Sequence, residues 1–325
     1  MNWLLKVALC GICAAVCMVS ASSCGKSQPA ANGVRHIAVS IPSADHGWTG
    51  GIVWWAQKAK AELGGDGTQY AIEVVTAKDS TEQVNQIESL LTAGKLDALV
   101  VLPHEPGPLT NICAQARENG VFLVVVDRNL TRPVQNITVA GDNRGFGKTC
   151  AEVLASQLNG QGDIVVMEGV PCAVNSDRVE AFREVIAKYP GIHILDSQPA
   201  NWDPAQGLKV METFLQKFPK IDAVWTGDDD VLLGALKAYR ESGRGDIRCF
   251  IGGAGSKVVN KMVMDRDPLV PANVTYPPKM IYHGVEQAIR GLASATPVEG
   301  EKIIIPADVI TPENAAQFYF PEAIY

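Results

Sequence analysis

The sequence predicts an α/β protein of two lobes, each an open, doubly wound parallel sheet, and three observations point to that class. Short apolar runs alternate with helical patterns along nearly the whole chain. The runs are continuous stretches rich in Val, Ile and Leu, as strands buried on both faces require. The pattern then starts afresh near Gly141-Asp142-Asn143 into a second series of similar length, where a single sheet would have grown too large. Strands are predicted over 36–41, 72–75, 98–102, 122–126, 163–167, 192–195, 223–226, 248–251 and 272–275. Ser80-Thr81-Glu82-Gln83 reads as a capping box opening a helix with Val84, Ile87, Leu90 and Leu91 on one face, closed at Gly94. Further helices are predicted over 49–63, 109–119, 146–158, 177–189, 204–218, 232–242, 258–265 and 279–292.

Ahead of this alternation stands a segment of another kind. Lys6, an apolar run over 7–19 and the small residues Ala21-Ser22-Ser23 read as an export signal, since the run is too short for a permanent membrane span. Residues 1–23 are therefore expected to be removed, placing the protein outside the cytoplasm. Cleavage before Cys24 resembles the lipobox of bacterial lipoproteins, although Ala21 stands where Leu is usual. The alternative is ordinary cleavage that leaves Cys24 a free thiol. Residues 24–33, rich in Ser, Pro, Ala and Asn, suit a flexible tether.

Roughly 300 residues beyond the leader suffice for two domains. At 47% hydrophobic and 19% charged the chain is globular. Its formal charge of −7, with Lys and Arg scattered, lacks the basic stripe of a nucleic-acid footprint. Of eight cysteines, Cys113, Cys150, Cys172 and Cys249 fall in the folded part at spacings that match no metal motif. Each lies in an apolar helix or strand pattern, where buried free thiols are common. No cofactor is expected.

Open α/β sheets bind ligands beyond the carboxyl ends of their strands. The residues there are Asp45, His46 and Trp48, Lys78 and Asp79, His104 and Glu105, and Asp127, Arg128 and Asn129 in the first series. The second series supplies Asn175 and Arg178, Trp202 and Asp203, Asp228 to Asp230, Gly253 to Gly255, and Tyr276. Aromatic faces stack on the C–H faces of a sugar ring, while carboxylates, guanidinium forks and carboxamides reach its hydroxyls. The mixture suits a neutral polyhydroxylated ligand. The turn Pro42-Ser43-Ala44-Asp45 after the first strand is no G-x-G-x-x-G, which argues against a nucleotide.

From about residue 37 to 292 the chain resembles the ribose- and galactose-type sugar-binding proteins of bacterial ABC transporters, the type I periplasmic binding fold. The resemblance is carried by Val124-Val125-Val126-Asp127-Arg128 with Asp142-Asn143 following fifteen residues after the Asp, by Ser197-Gln198-Pro199-Ala200-Asn201-Trp202-Asp203, and by Thr226-Gly227-Asp228-Asp229-Asp230 leading into Leu233-Gly234-Ala235-Leu236. It implies that Asp127 and Arg128 bind ligand hydroxyls from the first lobe and that Trp48 and Trp202 stack on it. Asp228 falls where that family carries Asn or Asp to a ring hydroxyl, and Tyr276 where a hinge Gln contacts sugar. The family's binding Arg lies two positions before Arg178, where this chain has Ser176, so either Arg178 or Asn175 takes that role. Ala254 stands where a sugar-binding Asp is frequent, which leaves the ligand's identity open.

Plainer readings compete at several positions. Asp142 and Asn143 read as hinge or capping residues, Asp229 and Asp230 as helix caps, and at least one of Trp54 and Trp55 as core. His46 and His104 have no metal-ligand spacing, so no metal is expected.

The resemblance further implies a first lobe of 34–141 plus 277–302 and a second of 142–276 plus 303–325, joined by three crossings near Gly141, Tyr276 and residues 303–306. Hinge closure around a monosaccharide or polyol and delivery to an ABC permease is the expected function, with a lipid on Cys24 tying the protein to a membrane. A sugar sensor feeding a chemoreceptor or kinase is the first alternative. A carbohydrate-acting enzyme is less expected, because no G-x-S-x-G and no Cys-His arrangement stands at the strand ends.

Overall fold

A computed structural model describes residues 33–325, so the leader and Cys24 lie outside the described residues. The first series of strands is β1 (Arg35–Pro42), β2 (Tyr70–Ala77), β3 (Ala98–Val101), β4 (Phe122–Val126) and β5 (Ile137–Gly141). The second is β6 (Gln161–Glu168), β7 (Gly191–Pro199), β8 (Ala223–Thr226) and β9 (Cys249–Ile251), followed by the short β10 (Asn273–Val274), β11 (Glu301–Ile305) and β12 (Val309–Ile310). Six strands form one sheet in the order β11-β5-β4-β3-β1-β2, and four form another in the order β7-β6-β8-β9, with every pairing parallel. β10 and β12 pair antiparallel beside them.

The helices between them are α1 (Gly47–Leu63), α2 (Ser80–Thr92), α3 (Pro106–Glu118), α4 (Asn143–Gln157), α5 (Ala173–Ile186), α6 (Pro204–Lys217), α7 (Asp229–Ser242), α8 (Lys257–Met264) and α9 (Met280–Ala293). Central strands with no solvent-facing side read as unbroken apolar runs, and Ala98 to Val101 is buried at every position. Helices α1 and α9 cover one face of the larger sheet, α2 and α3 the other. The smaller sheet lies between α4 and α5 on one side and α6 and α7 on the other, with Phe182 stacked on Trp225 at a 3.9 Å centroid separation.

Three segments carry the chain between the sheets: Gly141–Asp142 after β5, residues 275–279 after β10, and residues 306–308 after β11. They are bonded to one another. The Asp142 N–H donates to the Ile305 carbonyl at 3.0 Å, and the Thr275 N–H to the Asp308 carbonyl at 2.9 Å.

Several details depart from the sequence reading. β5 escapes it because no helix separates β5 from β4; the connection is a loop, which breaks the strand–helix rhythm. The expected boundary between 302 and 303 cuts through β11, all of which pairs with β5 in the larger sheet, so the crossing follows Ile305. The cap of α2 is Asp79, whose carboxylate accepts from the Glu82 N–H at 2.8 Å, rather than Ser80. Cys113, Cys150 and Cys249 are buried free thiols, but Cys172 is exposed at the start of α5, where the chain leaves the sheet.

Asn136 fastens the edge that β11 joins. Its buried carboxamide accepts from the Leu123 N–H at 2.7 Å and donates to the Val298 carbonyl at 2.8 Å. Asn136→Ala leaves a buried N–H and a half-buried carbonyl without this partner, and chemical denaturation is expected to show a loss of about 2 kcal/mol with an unchanged slope.

Candidate ligand-binding site

The carboxyl ends of both sheets and the Tyr276 crossing meet at one buried point. Val126 ends β4, and Asp127 turns the chain with φ +63°, its N–H donating to the Val139 carbonyl at 2.8 Å. Asp tolerates this left-handed geometry better than most residues, and strain of this kind gathers at functional sites. The turn presents the Asp127 carboxylate to Tyr276, whose hydroxyl donates to Oδ1 at 2.5 Å. Trp48, in the first turn of α1, donates its indole N–H to the Tyr276 carbonyl at 2.9 Å, with ring centroids 6.0 Å apart. Gly141 makes room for this crossing, since a Cβ there would lie 2.2 Å from the Tyr276 ring.

The second lobe answers with Arg178 from α5. Its guanidinium lies 4.3 Å from the ring centroids of both Phe146 and Tyr276, and 6.0 Å from that of Trp202. Nε donates to Asn143 Oδ1 at 2.9 Å and Nη1 to the Gly227 carbonyl at 2.8 Å. Arg178 is 4% exposed and forms no ion pair among the described residues. A buried cation of this kind is held by π faces and neutral oxygens. Burial beside Asp127 pushes the Tyr276 hydroxyl well above its ordinary value, opposed by Arg178.

Trp202 is the most strained member. Asn201 and Trp202 both take φ +55°, a rare conformation for so bulky a residue. The indole lies on a glycine floor: a Cβ on Gly169 would come within 2.1 Å of Nε1, and one on Gly227 within 3.5 Å. That Nε1 is buried with no hydrogen-bond partner among the described residues.

The acidic triplet divides its work differently from expectation. Asp228, not its neighbours, caps α7, accepting from the Val231 N–H at 2.9 Å. Asp229 accepts from the Ser256 N–H at 2.7 Å and from Asn273 Nδ2 at 3.0 Å, tying α7 to the turn before α8 and to β10. Asp230 reaches the other lobe and accepts from the Gly47 N–H at 3.0 Å. Burial and the charge of Asp230 push Asp228 well above the usual carboxylate range, and burial also raises Asp230.

Arg128 sits at the edge of this cluster, its Nε 3.9 Å from Asp127 Oδ2, and Asn175 stands apart from it. Arg128 Nη1 donates to the His104 carbonyl at 2.7 Å and is held at the rim of the larger sheet; the His104 N–H is itself fixed by buried Gln83 at 2.8 Å. Asn175 accepts from the Gly169 N–H at 2.7 Å and donates to Glu168 at 3.2 Å, so it shapes the loop after β6. Ala254 is buried and offers only a methyl group, bridging to Thr275. His46 pairs with Asp45 at 2.5 Å, and no cluster of metal-ligating side chains occurs among the described residues. Trp55 is buried and Trp54 meets it edge-on, as a core pair.

Sequence reasoning took Asn143 for a hinge or capping residue, gave Gly227 no role of its own and passed over Phe146. Asn143 and Phe146 are three residues apart on the first turn of α4, hence on one side of it, directly after a crossing. That spacing was a usable signal.

A family model described as a periplasmic binding protein domain matches residues 37–294. The xylitol-binding protein of Mycolicibacterium smegmatis is 31% identical over 230 residues, 69% of this chain and 63% of that protein. The ribose import binding protein of Bacillus subtilis is 32% identical over 211 residues, 65% of this chain and 67% of that protein. The chain thus spans about two thirds of the length of these curated relatives. A solute-binding protein of an ABC transporter from Bacillus halodurans, solved with myo-inositol, is similar at a TM-score of 0.76 and 25% identity, over 90% of this chain and 99% of that one. The arabinose-binding protein of Shewanella sp. ANA-3 gives 0.76 and 25%, over 87% and 93%. The fold is that of the type I periplasmic binding proteins.

Burial, partly offset by the Asn273 and Ser256 donors, pushes the Asp229 carboxyl up to about 7. The folded chain therefore keeps a proton there that the unfolded chain releases at about pH 4. The stability this proton confers is full below about pH 4 and is lost as pH rises toward 7. Thermal unfolding between pH 5 and 8 is expected to show the midpoint of Asp229→Asn rising relative to wild type as pH increases; a constant difference would refute the assignment.

Proposed function

The chain belongs to the periplasmic binding protein family, and on that premise we propose that it captures a neutral monosaccharide or polyol between its lobes and delivers it unaltered to an ABC permease. The observation that carries the reading is the meeting of Asp127, Tyr276, Arg178 and Trp202 at one buried point, contributed by both lobes and a crossing. Trp202 there holds a buried N–H that lacks an acceptor, which a ligand hydroxyl would supply. The relatives' sugar and polyol ligands support the same class.

In this reading Asp127 and Arg128 take hydroxyls from the first lobe. Arg178, rather than Asn175, does so from the second, since Asn175 spends its carboxamide on the loop after β6. Trp202 and Trp48 offer ring faces, and Asp228 offers its second carboxylate oxygen. A ligand touching both lobes stabilises the closed arrangement because only there does it touch both. A micromolar dissociation constant corresponds to about −8 kcal/mol, within reach of stacked aromatics and several charge-assisted hydrogen bonds after the cost of closure. The family is extracytoplasmic. A lipid on Cys24 is the proposed link to the membrane, with intact mass as its check.

A thermal-shift screen of pentoses, hexoses, polyols and inositols is expected to give one preferred class of ligand, recovered unchanged after incubation. By calorimetry Asp127→Ala and Trp202→Ala should each weaken that ligand about a hundredfold, a loss of about 3 kcal/mol, with the fold intact by circular dichroism. Normal binding by both variants would remove the pocket from this place.

A further inference from the structure

The segment from Phe318 to Tyr325 fastens to both lobes. On the second, Asn260 Nδ2 donates to the Phe318 carbonyl at 2.9 Å, and Lys257 Nζ donates to the carbonyls of Pro321, at 3.3 Å, and Ala323. On the first, Phe320 meets Trp55 edge-on at a 5.1 Å centroid separation, with Lys279 Nζ lying 5.3 Å and 5.9 Å from the two rings. Tyr325 then lies along the start of α1. A Cβ on Gly47 would come within 2.7 Å of Tyr325 Cδ2, and one on Gly51 within 3.0 Å of Tyr325 Cβ. Glycine is a poor helix former. Its repetition at 47, 50 and 51 in the opening turns of α1 gains a reason from this contact at two of the three positions.

Tyr325 is 8% exposed, and its hydroxyl is buried without a hydrogen-bond partner among the described residues. A Cβ on Gly47 would also lie 2.6 Å from Asp230 Oδ1, so the Tyr325 ring stands beside the carboxylate that reaches from the second lobe to the start of α1. Tyr325 Oη and Trp202 Nε1 are both buried donors without acceptors among the described residues. A side chain acting as a plug in place of the ligand would hydrogen-bond to the groups that await the ligand. Tyr325 does not.

We propose that Tyr325 is a specificity-determining residue of the ligand site: its hydroxyl bonds a ligand hydroxyl, and its ring, seated against Gly47 and Gly51, limits the size of sugar or polyol that fits. This rests on the cleft being a saccharide site. Calorimetric titration of wild type, Tyr325→Phe and Tyr325→Ala against ribose, arabinose, galactose, xylitol and myo-inositol tests it. For the ligand that wild type prefers, Tyr325→Phe is expected to weaken binding about tenfold, or about 1.4 kcal/mol, without lowering the unliganded melting temperature. Tyr325→Ala is expected to reorder the panel toward bulkier ligands. Equal affinity of wild type and the Phe variant overturns the proposal. So does tighter binding of the preferred ligand by either variant, which would make the ring a plug. If wild type binds no member of the panel, the saccharide reading itself falls and takes the proposal with it.

Discussion

A buried guanidinium without an ion-pair partner among the described residues is the constraint around which this cleft is built. Removing Arg178 from water is costly, and the surrounding residues offset that cost with oriented dipoles and ring faces rather than a salt bridge. Asn143 and the Phe146 ring from the start of α4, the Gly227 carbonyl after β8 and the Tyr276 ring come from three different stretches of chain. They converge only when the second sheet, its α4–α5 layer and the crossing at Tyr276 are all in place. The site is therefore a property of the assembled fold and not of any one loop.

Glycine and backbone strain supply the space that convergence needs. Gly141 admits the Tyr276 ring, Gly253 admits Phe146, whose ring a Cβ there would approach to 2.0 Å, and Gly169 admits the Trp202 indole. Opposite these clearances, Asp127 and Trp202 are held in the left-handed region, where most residues would relax. Small residues and strained ones thus alternate around the same point. The crossings that carry them are bonded to each other at Asp142–Ile305 and Thr275–Asp308.

The parallel strands and their helices were legible because burial on both faces leaves an unbroken apolar signature, which 98–101 and 122–126 show plainly. β5 was not legible, since a ten-residue loop stands where the rhythm calls for a helix. Within the cleft, aromatic and charged residues at strand ends were conspicuous, and Trp48, Asp127, Arg178, Trp202 and Tyr276 do come together. What sequence could not apportion was the acidic triplet. Three consecutive carboxylates at a helix start all look like caps, yet the helical turn sends Asp228 to its own helix, Asp229 into the core and Asp230 to the opposite lobe. Phe146 and Tyr325 were hidden for a different reason, because an aromatic side chain in a helix or near a chain's last residues carries no mark of what it will touch.

The charge balance of the cleft bears on what kind of guest it accepts. Asp127, Asp228 and Asp230 stand around it, with Asp229 in the core behind them, against Arg178 and, at the rim, Arg128. Burial already disfavours ionisation of Asp228, Asp229 and Asp230, and each raises the cost of another negative charge nearby. A phosphate or carboxylate brought here would pay the same burial cost, with a single buried guanidinium to answer it. A cation would face Arg178 between its aromatic plates. A neutral polyhydroxylated molecule escapes both penalties, since each of its hydroxyls can donate as well as accept.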